Sequence, residues 1–192
     1  MNRHVNAIAG RLSLRPPQRR SLEILDRITE ITPPGKGADT AAALEVIRRE
    51  FPSVTDFERE FPSLCFALAT GVGKTRLMGA FIGYLHLAHG INNFFVLAPN
   101  LTIYNKLIAD FTPNTPKYVF KGIAEFATDP PEIITGDTYE ARARTLFDET
   151  IRCKVNIFNI SKINSEVRGG KSPRIKRLSE YIGQSYFDYL AG

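Results

Sequence analysis

The chain has 192 residues, of which 43% are hydrophobic and 23% charged, and a net charge of +5 at pH 7. Its apolar content can bury the core of one domain, or of one domain and part of another, which argues against a disordered chain. No apolar run reaches the roughly 18 residues of a membrane span, and the basic N-terminus lacks the apolar stretch of a signal peptide.

The N-terminal part of the chain is predicted to be mainly helical. We expect the first 12 or so residues to be loosely structured. Apolar residues at helical spacing then predict a helix over residues 21–31, with Ser21 as a candidate cap. After the break TPPGKG, a second helix is expected to start at Asp39.

A strand followed directly by a helix is predicted in the middle of the chain. Residues 63–69, SLCFALA, are almost all apolar and are bounded by Pro62 and by glycines, as a strand buried on both faces should be. Residues 74–89 are apolar nearly all round, which is typical of a buried helix rather than a surface one.

The remainder of the chain alternates between apolar strands and helices. Strands are predicted at residues 93–99, 117–122, 132–136 and 154–160, and helices at residues 101–111, 138–150 and 174–190. Such alternation indicates right-handed crossovers and a mostly parallel sheet, so the fold class is predicted to be α/β.

The cysteines and the basic residues bear on the compartment in which the chain works and on its possible partners. Cys65 and Cys153 are too few and too far apart for a disulfide framework or a four-ligand zinc site, and both lie in apolar runs. We therefore expect buried free thiols and a reducing, cytoplasmic compartment. Two basic runs, five arginines before Glu23 and five basic residues in 168–177, could attract phosphate backbones, but charge alone favours a solvated surface or a flexible loop.

The stretch LATGVGKT, residues 68–75, predicts a phosphate-binding loop between the strand and the buried helix. Gly71 and Gly73 allow the sharp turn and the close approach of backbone to phosphate. Lys74 would reach the β- and γ-phosphates of a nucleotide, and the hydroxyl of Thr75 would coordinate Mg²⁺. A dinucleotide fingerprint is excluded, because the third glycine of G-x-G-x-x-G is missing. The remaining members of the predicted site are Thr70, Val72 and Arg76.

Leu68 replaces the first glycine of the usual loop pattern, and this replacement is informative. Residues 68–75 match the pattern A-x-T-G-x-G-K-T at every position after the first, that is, from Ala69 onward, and so the chain resembles motif I of superfamily 2 helicases and translocases. These enzymes carry an upstream glutamine that recognises adenine. The resemblance assigns that role to Gln18 in LRPPQ, although a glutamine ahead of a helix could also be a simple helix cap.

The same resemblance implies contacts with a nucleic-acid backbone. In VLAPN a strand ends at a proline before a helix, which suits phosphate binding by backbone N–H and hydroxyl groups. A second strand-to-helix element, VNIFNISKIN, is expected on the same face, and a plain α/β turn is the alternative for both. The candidate contacts are Pro99, Asn100, Thr102, Asn159, Ser161 and Lys162.

Taken over its whole length, the chain resembles the N-terminal part of the restriction subunit of type III restriction–modification enzymes. The residues that carry this resemblance are LRPPQRRSLEIL, FALATGVGKTRLMGAFIGYLH, FFVLAPNLTIYNKLIADF and VNIFNISKIN. It implies a P-loop RecA-like fold, ATP and Mg²⁺ as cofactors, double-stranded DNA as substrate and a methyltransferase (modification) subunit as partner. Another superfamily 2 helicase acting on DNA or RNA, and a nucleotide-binding protein without hydrolysis, are the alternatives.

The carboxylate pair that ATP hydrolysis needs is not evident in the sequence. The only Asp-Glu pair, Asp148–Glu149, follows a helical pattern rather than an apolar strand, and we reject it as the catalytic pair. We therefore expect a fragment with an N-terminal segment, 1–62, and a partial RecA-like domain, 63–192, incomplete at its C-terminus. Such a chain would bind nucleotide but would not turn ATP over.

Overall fold

The structure is a computed structural model, and it describes residues 2–35, 37, 39–59, 61–138 and 152–159. The chain forms two compact units, Met1–His89 and Gly90–Gly192. The division into domains between residues 62 and 63 stays a prediction. The helix predicted over residues 174–190 and most of the one predicted over residues 138–150 lie outside the described residues.

Four helices are described in the first unit: α1 (Arg3–Arg11), α2 (Pro16–Ile31), α3 (Thr40–Glu50) and α4 (Lys74–His89). Asn2 caps α1 by accepting a hydrogen bond from the backbone N–H of His4. Asp39 caps α3 in the same way, so this helix begins where the sequence predicted. Two prolines open α2, where their missing N–H groups cost nothing.

Two predictions about the N-terminal residues were wrong. Residues 3–11 form α1 rather than a loose segment, because apolar side chains on one face of this helix are buried. α2 begins at Pro16, so Ser21 is not its cap. Ser21 lies inside α2, where its hydroxyl donates a hydrogen bond to the carbonyl oxygen of Pro17 at 2.9 Å.

The predicted strand over residues 63–69 was also wrong, since residues 62–69 have no regular secondary structure. A strand satisfies its backbone only by pairing with another strand, and the described residues of the first unit contain none. Cys65 lies in this segment and is exposed, so the prediction that its thiol is buried was wrong. Cys153 is buried, as predicted.

α4 is the buried helix that the sequence predicted. α1 and α2 both pack against it, and its buried residues are Leu77, Gly79, Ala80, Ile82, Gly83 and Tyr84. A second cluster of apolar residues joins α2 to α3 and to the segment that follows it, with Ile28, Ile47 and Phe57 at its centre. These contacts hold the helices of the first unit together.

In the second unit, the described residues form three strands and two helices: β1 (Asn93–Ala98), α5 (Leu101–Phe111), α6 (Ala124–Thr128), β2 (Glu132–Thr135) and β3 (Lys154–Asn159). The strand order is β1-β3-β2 and both pairings are parallel. Every residue of β3 is buried, as expected for the central strand of a covered parallel sheet. α5 packs on all three strands.

This arrangement confirms the predicted α/β class and three of the predicted strands, and it fits a P-loop RecA-like domain. The strand predicted over residues 117–122 was wrong. Val119 and Phe120 are adjacent and both buried, which a strand with one covered face does not allow, and the backbone turns there through short-range hydrogen bonds. Among the described helices, none is long and apolar enough to cross a membrane.

Candidate nucleotide-binding site

The predicted phosphate loop forms a sharp turn that ends at the first residue of α4. Gly71 and Gly73 have φ angles of +81° and +94°, in the left-handed region that residues with a Cβ rarely adopt. α4 starts directly afterwards, at Lys74. The first turn of a helix presents N–H groups that have no acceptor within the helix, and these groups favour a phosphate.

Gln18 joins the N-terminus of α2 to this loop. Its side chain is buried, with 2% exposed. Oε1 accepts a hydrogen bond from the backbone N–H of Arg15 at 2.8 Å, and Nε2 donates one to the carbonyl oxygen of Gly73 at 2.8 Å. The carboxamide is therefore both a helix cap and a contact to the loop, so the two explanations offered by the sequence are compatible.

Two arginines add further contacts around the loop. Nη1 of Arg15 donates to the carbonyl oxygen of Gly71 at 3.2 Å. Nη1 of Arg76 donates to the carbonyl oxygen of Leu12 at 3.1 Å, which ties α4 to the end of α1. Arg76 therefore lies at the predicted site, and its guanidinium contacts protein backbone.

A cavity of about 210 Å³ lies where these elements meet, and it is lined by Ser13, Arg15, Gln18, Gly71, Val72, Gly73 and Arg76. Pockets that enclose a whole drug-sized ligand measure roughly 300–1,000 Å³, so this one has room for part of a nucleotide, such as its base. Five residues of the predicted site are thereby brought together. Sequence reasoning missed Ser13 and Arg15, although Arg15 lies one helical turn before Gln18.

The residues expected to contact phosphate and Mg²⁺ lie beside this cavity. Lys74 is exposed, and its Nζ donates a hydrogen bond to the carbonyl oxygen of Ala69 at 3.1 Å, across the loop. Thr75 is half-buried in the first turn of α4, and Thr70 is exposed where the loop begins. The ammonium group is thus held over the turn by a bond that a phosphate oxygen can replace.

A magnesium ion fits this donor set only together with a nucleotide. Within the described residues, no group of three or more His, Cys, Asp or Glu side chains could hold a metal ion. Mg²⁺ in phosphate sites takes one or two protein ligands and completes its shell with water and phosphate oxygens. The hydroxyl of Thr75 is suited to be such a protein ligand. Asp148–Glu149 lies outside the described residues.

The predicted nucleic-acid contacts lie at one edge of the sheet in the second unit. β1 and β3 run parallel with Ala98 opposite Asn159, so both strands end at the same edge. Pro99, Asn100 and Thr102 are exposed there, and the side chain of Asn100 caps α5 by accepting from the backbone N–H of Ile103 at 2.9 Å. Asn159 is buried, with 1% exposed, and Ser161 and Lys162 lie outside the described residues.

Comparison with known proteins gives one clear relationship. Searches of curated proteins and of solved structures gave no significant match. The sequence matches the family described as "Type III restriction enzyme, res subunit" over residues 11–190, which includes Gln18 and the whole phosphate loop. Members of this family carry an ATP-dependent, helicase-like domain. The chain therefore belongs to the type III restriction enzyme res subunit family.

Proposed function

We propose that this chain binds ATP with Mg²⁺ and is the nucleotide-binding part of an ATP-dependent DNA translocase and restriction endonuclease. The observation that carries the proposal is the hydrogen bond from Gln18 to the carbonyl oxygen of Gly73. It joins two predicted nucleotide contacts, 55 residues apart in sequence, in one cavity.

Each residue of the loop has a distinct role in this proposal. The backbone of Thr70, Gly71, Val72 and Gly73 and the first turn of α4 receive the phosphates. Lys74 exchanges its bond to Ala69 for the β- and γ-phosphate oxygens. Thr75 donates its hydroxyl oxygen to the Mg²⁺ that accompanies the nucleotide, and Arg76 borders the cavity.

Gln18 reads the base. A carboxamide offers two N–H donors and an oxygen with two lone pairs, and the structure uses one of each for Gly73 and Arg15. The remaining donor and acceptor match the N7 acceptor and N6 amino donor of adenine. Guanine presents an acceptor at O6 instead, which leaves Gln18 facing a mismatched atom. ATP is therefore preferred over GTP.

The nucleotide site is tested by titrating ATP with Mg²⁺ into the wild-type chain and into Lys74→Ala. A charged hydrogen bond contributes about 1.5–3 kcal/mol, so we expect the variant to bind roughly 10- to 100-fold more weakly. Lys121→Ala removes an exposed lysine of the second unit and is the matched control. Undiminished binding in Lys74→Ala would show that the site assignment is wrong.

The 192-residue chain by itself binds ATP without turning it over. Hydrolysis needs a carboxylate pair at the end of an apolar strand to hold the Mg²⁺ shell and orient water, and the sequence contains no such strand and pair. Steady-state turnover of about 1 per second or faster, typical of working enzymes, would contradict this.

The restriction subunit to which these residues correspond acts in the cytoplasm on double-stranded DNA, together with a methyltransferase subunit. The exposed end of β1 at Pro99, Asn100 and Thr102 is the proposed backbone contact, with Asn159, Ser161 and Lys162 following β3. A salt titration tests it, since binding through phosphates weakens steeply as the salt concentration rises. An affinity for duplex DNA that does not change with salt concentration, or a marked preference for RNA, would count against the proposal.

A further inference from the structure

A buried polar network lies between α2 and α4, away from the nucleotide cavity. The hydroxyl of Tyr84 donates to Oδ1 of Asp26 at 2.8 Å and lies 3.0 Å from Oγ1 of Thr29. Nε2 of His89 lies 3.1 Å from the Tyr84 hydroxyl and 3.0 Å from Oγ1 of Thr29. The backbone N–H of Asn2 approaches the other carboxylate oxygen of Asp26 at 3.3 Å.

Each group of the network has a possible hydrogen-bond partner. Tyr84 donates to the carboxylate of Asp26, and Thr29 can donate either to the Tyr84 hydroxyl or to the carbonyl oxygens of α2 one turn earlier. With a hydrogen on Nε2, the ring of His89 can donate to either hydroxyl oxygen. Tyr84 is fully buried, and Asp26 and Thr29 are nearly so. Burying such groups without partners costs roughly 1–3 kcal/mol each, so the network tolerates one arrangement of the helices.

The spacing of these contacts matches that of the nucleotide site. Gln18 bonds to a residue 55 positions later, Gly73, and Thr29 contacts a residue 55 positions later, Tyr84. The distance along the sequence is therefore 11 residues both from Gln18 to Thr29 and from Gly73 to Tyr84. In an α-helix this corresponds to about three turns, or roughly 16 Å. Because both chains advance by 11 residues between the two contacts, α2 and α4 run in the same direction here. Eleven residues are close to a whole number of helical turns, so each helix uses the same face for both contacts.

We propose that Asp26, Thr29, Tyr84 and His89 are positioning residues for the nucleotide site, because they fix α2 against α4 in the register that places Gln18 on the phosphate loop. The hydrophobic effect is non-directional, whereas the hydrogen bonds of this network are directional and so add a constraint on the register. A slip of one turn, about 5.4 Å, would move Gln18 off Gly73 and leave the buried groups unpaired. The inference rests on the proposed reading of adenine by Gln18.

The test compares the affinities of ATP and GTP, each titrated with Mg²⁺ into the full 192-residue chain. Tyr84→Phe keeps the ring and removes the hydroxyl. We expect it to weaken ATP binding by roughly three- to tenfold and to change GTP binding by less than about twofold, so that the preference for ATP falls toward that of Gln18→Ala. A purely structural role would lower the melting temperature and leave the ratio of the two affinities unchanged.

A second pair of variants makes the result independent of Tyr84. Thr29→Val removes the hydroxyl at nearly constant shape and should also lower the ATP preference, whereas Thr29→Ser keeps a hydroxyl and should retain it. If Tyr84→Phe does not fold, the comparison of Thr29→Val with Thr29→Ser tests the positioning role by itself. A wild-type ATP preference in Thr29→Val, or in a folded Tyr84→Phe, would overturn the positioning role while leaving the nucleotide site intact. A wild-type chain that binds neither nucleotide would overturn the proposed function and this inference together.

Discussion

Gln18 and Gly73 fit against each other so closely that a side chain added at the glycine would displace the carboxamide of Gln18. Nε2 of Gln18 lies 2.8 Å from the carbonyl oxygen of Gly73, and a Cβ on Gly73 would lie 2.7 Å from the same nitrogen. The two residues are therefore coupled by a hydrogen bond and by the lack of space for a Cβ at residue 73. The first two predictions follow from this pair.

Gly73→Ala should destabilise the first unit more than Gly71→Ala. Both replace a glycine of positive φ, which costs roughly 1–2 kcal/mol in backbone strain. A Cβ at Gly71 meets nothing within 4 Å, whereas one at Gly73 collides with Gln18. We expect the difference in the free energy of unfolding, measured in urea, to exceed about 1 kcal/mol. In a Gln18→Ala background the difference should shrink; an unchanged difference would show that the collision is relieved in another way.

Gln18→Glu and Gln18→Met should separate the effects of charge and of lost hydrogen bonds. Gln18→Met removes the bonds to Arg15 and Gly73 and should cost about 1–2 kcal/mol of unfolding free energy. Gln18→Glu keeps an acceptor for Arg15 but turns a carboxylate oxygen toward the Gly73 carbonyl, in a buried position. At pH 8 the glutamate variant should be the less stable of the two in urea. The opposite order would mean that the side chain can turn into solvent.

Asn100→Asp should separate helix capping from DNA binding. Either side chain accepts the N–H of Ile103, so the aspartate variant should keep its melting temperature, while Asn100→Ala should cost about 1 kcal/mol. The added negative charge should repel phosphate and weaken binding of duplex DNA. Full DNA affinity in Asn100→Asp would remove Asn100 from the proposed contacts.

The two cysteines should react at very different rates with a thiol reagent. Cys65 is exposed, whereas Cys153 is buried, and burial raises the pKa of its thiol to about 12. Only the thiolate reacts, so Cys65 should be labelled rapidly by iodoacetamide at pH 8, and Cys153 only after unfolding. Cys65→Ser should abolish the fast phase detected by mass spectrometry. A fast phase that persists would place Cys153 within reach of solvent.

Alkaline pH should destabilise the fold, first through Cys153 and then through tyrosine. Burial, reinforced by the charge of Asp129, raises the Cys153 pKa, and burial also raises the pKa of Tyr84 to about 12. Both groups are neutral in the folded chain up to about pH 12, whereas in the unfolded chain they ionise from about pH 9 and pH 10. Stability is therefore complete below about pH 9 and falls as the pH rises. Cys153→Ala should delay the fall of the urea midpoint to about pH 10, and an unchanged onset would contradict the assignment.

The sequence predicted the sheet of the second unit well because its strands pair with one another within the same unit. β1 and β3 are short apolar runs bounded by turn signals, and such runs keep their structure when a parallel partner is available. Residues 63–69 have the same apolar character but no pairing partner in the described part of their own unit. Apolar composition alone therefore did not identify a strand there, since pairing is a tertiary property.

Within the candidate nucleotide-binding site, the sequence predicted the loop and Gln18 because both belong to recognisable motifs. It offered helix capping by Gln18 only as an alternative to adenine recognition, and it did not reveal that Arg15 and Ser13 complete the cavity wall, because these contacts depend on how α2 enters the unit. The network around Tyr84 was missed for a related reason. Asp26 and Thr29 have no pattern in sequence that links them to Tyr84, and only the packed helices bring them together.

The equal offset of 55 residues between the two contact points has a consequence for insertions and deletions. A residue inserted into α2 between Gln18 and Thr29 would rotate one contact by about 100° relative to the other and could satisfy only one of them. Residues inserted into the turn between α2 and α3 would change the offset itself but leave both contacts where they are. Insertions and deletions among relatives should therefore be found between the helices. They should be absent from the spans between Gln18 and Thr29 and between Gly73 and Tyr84.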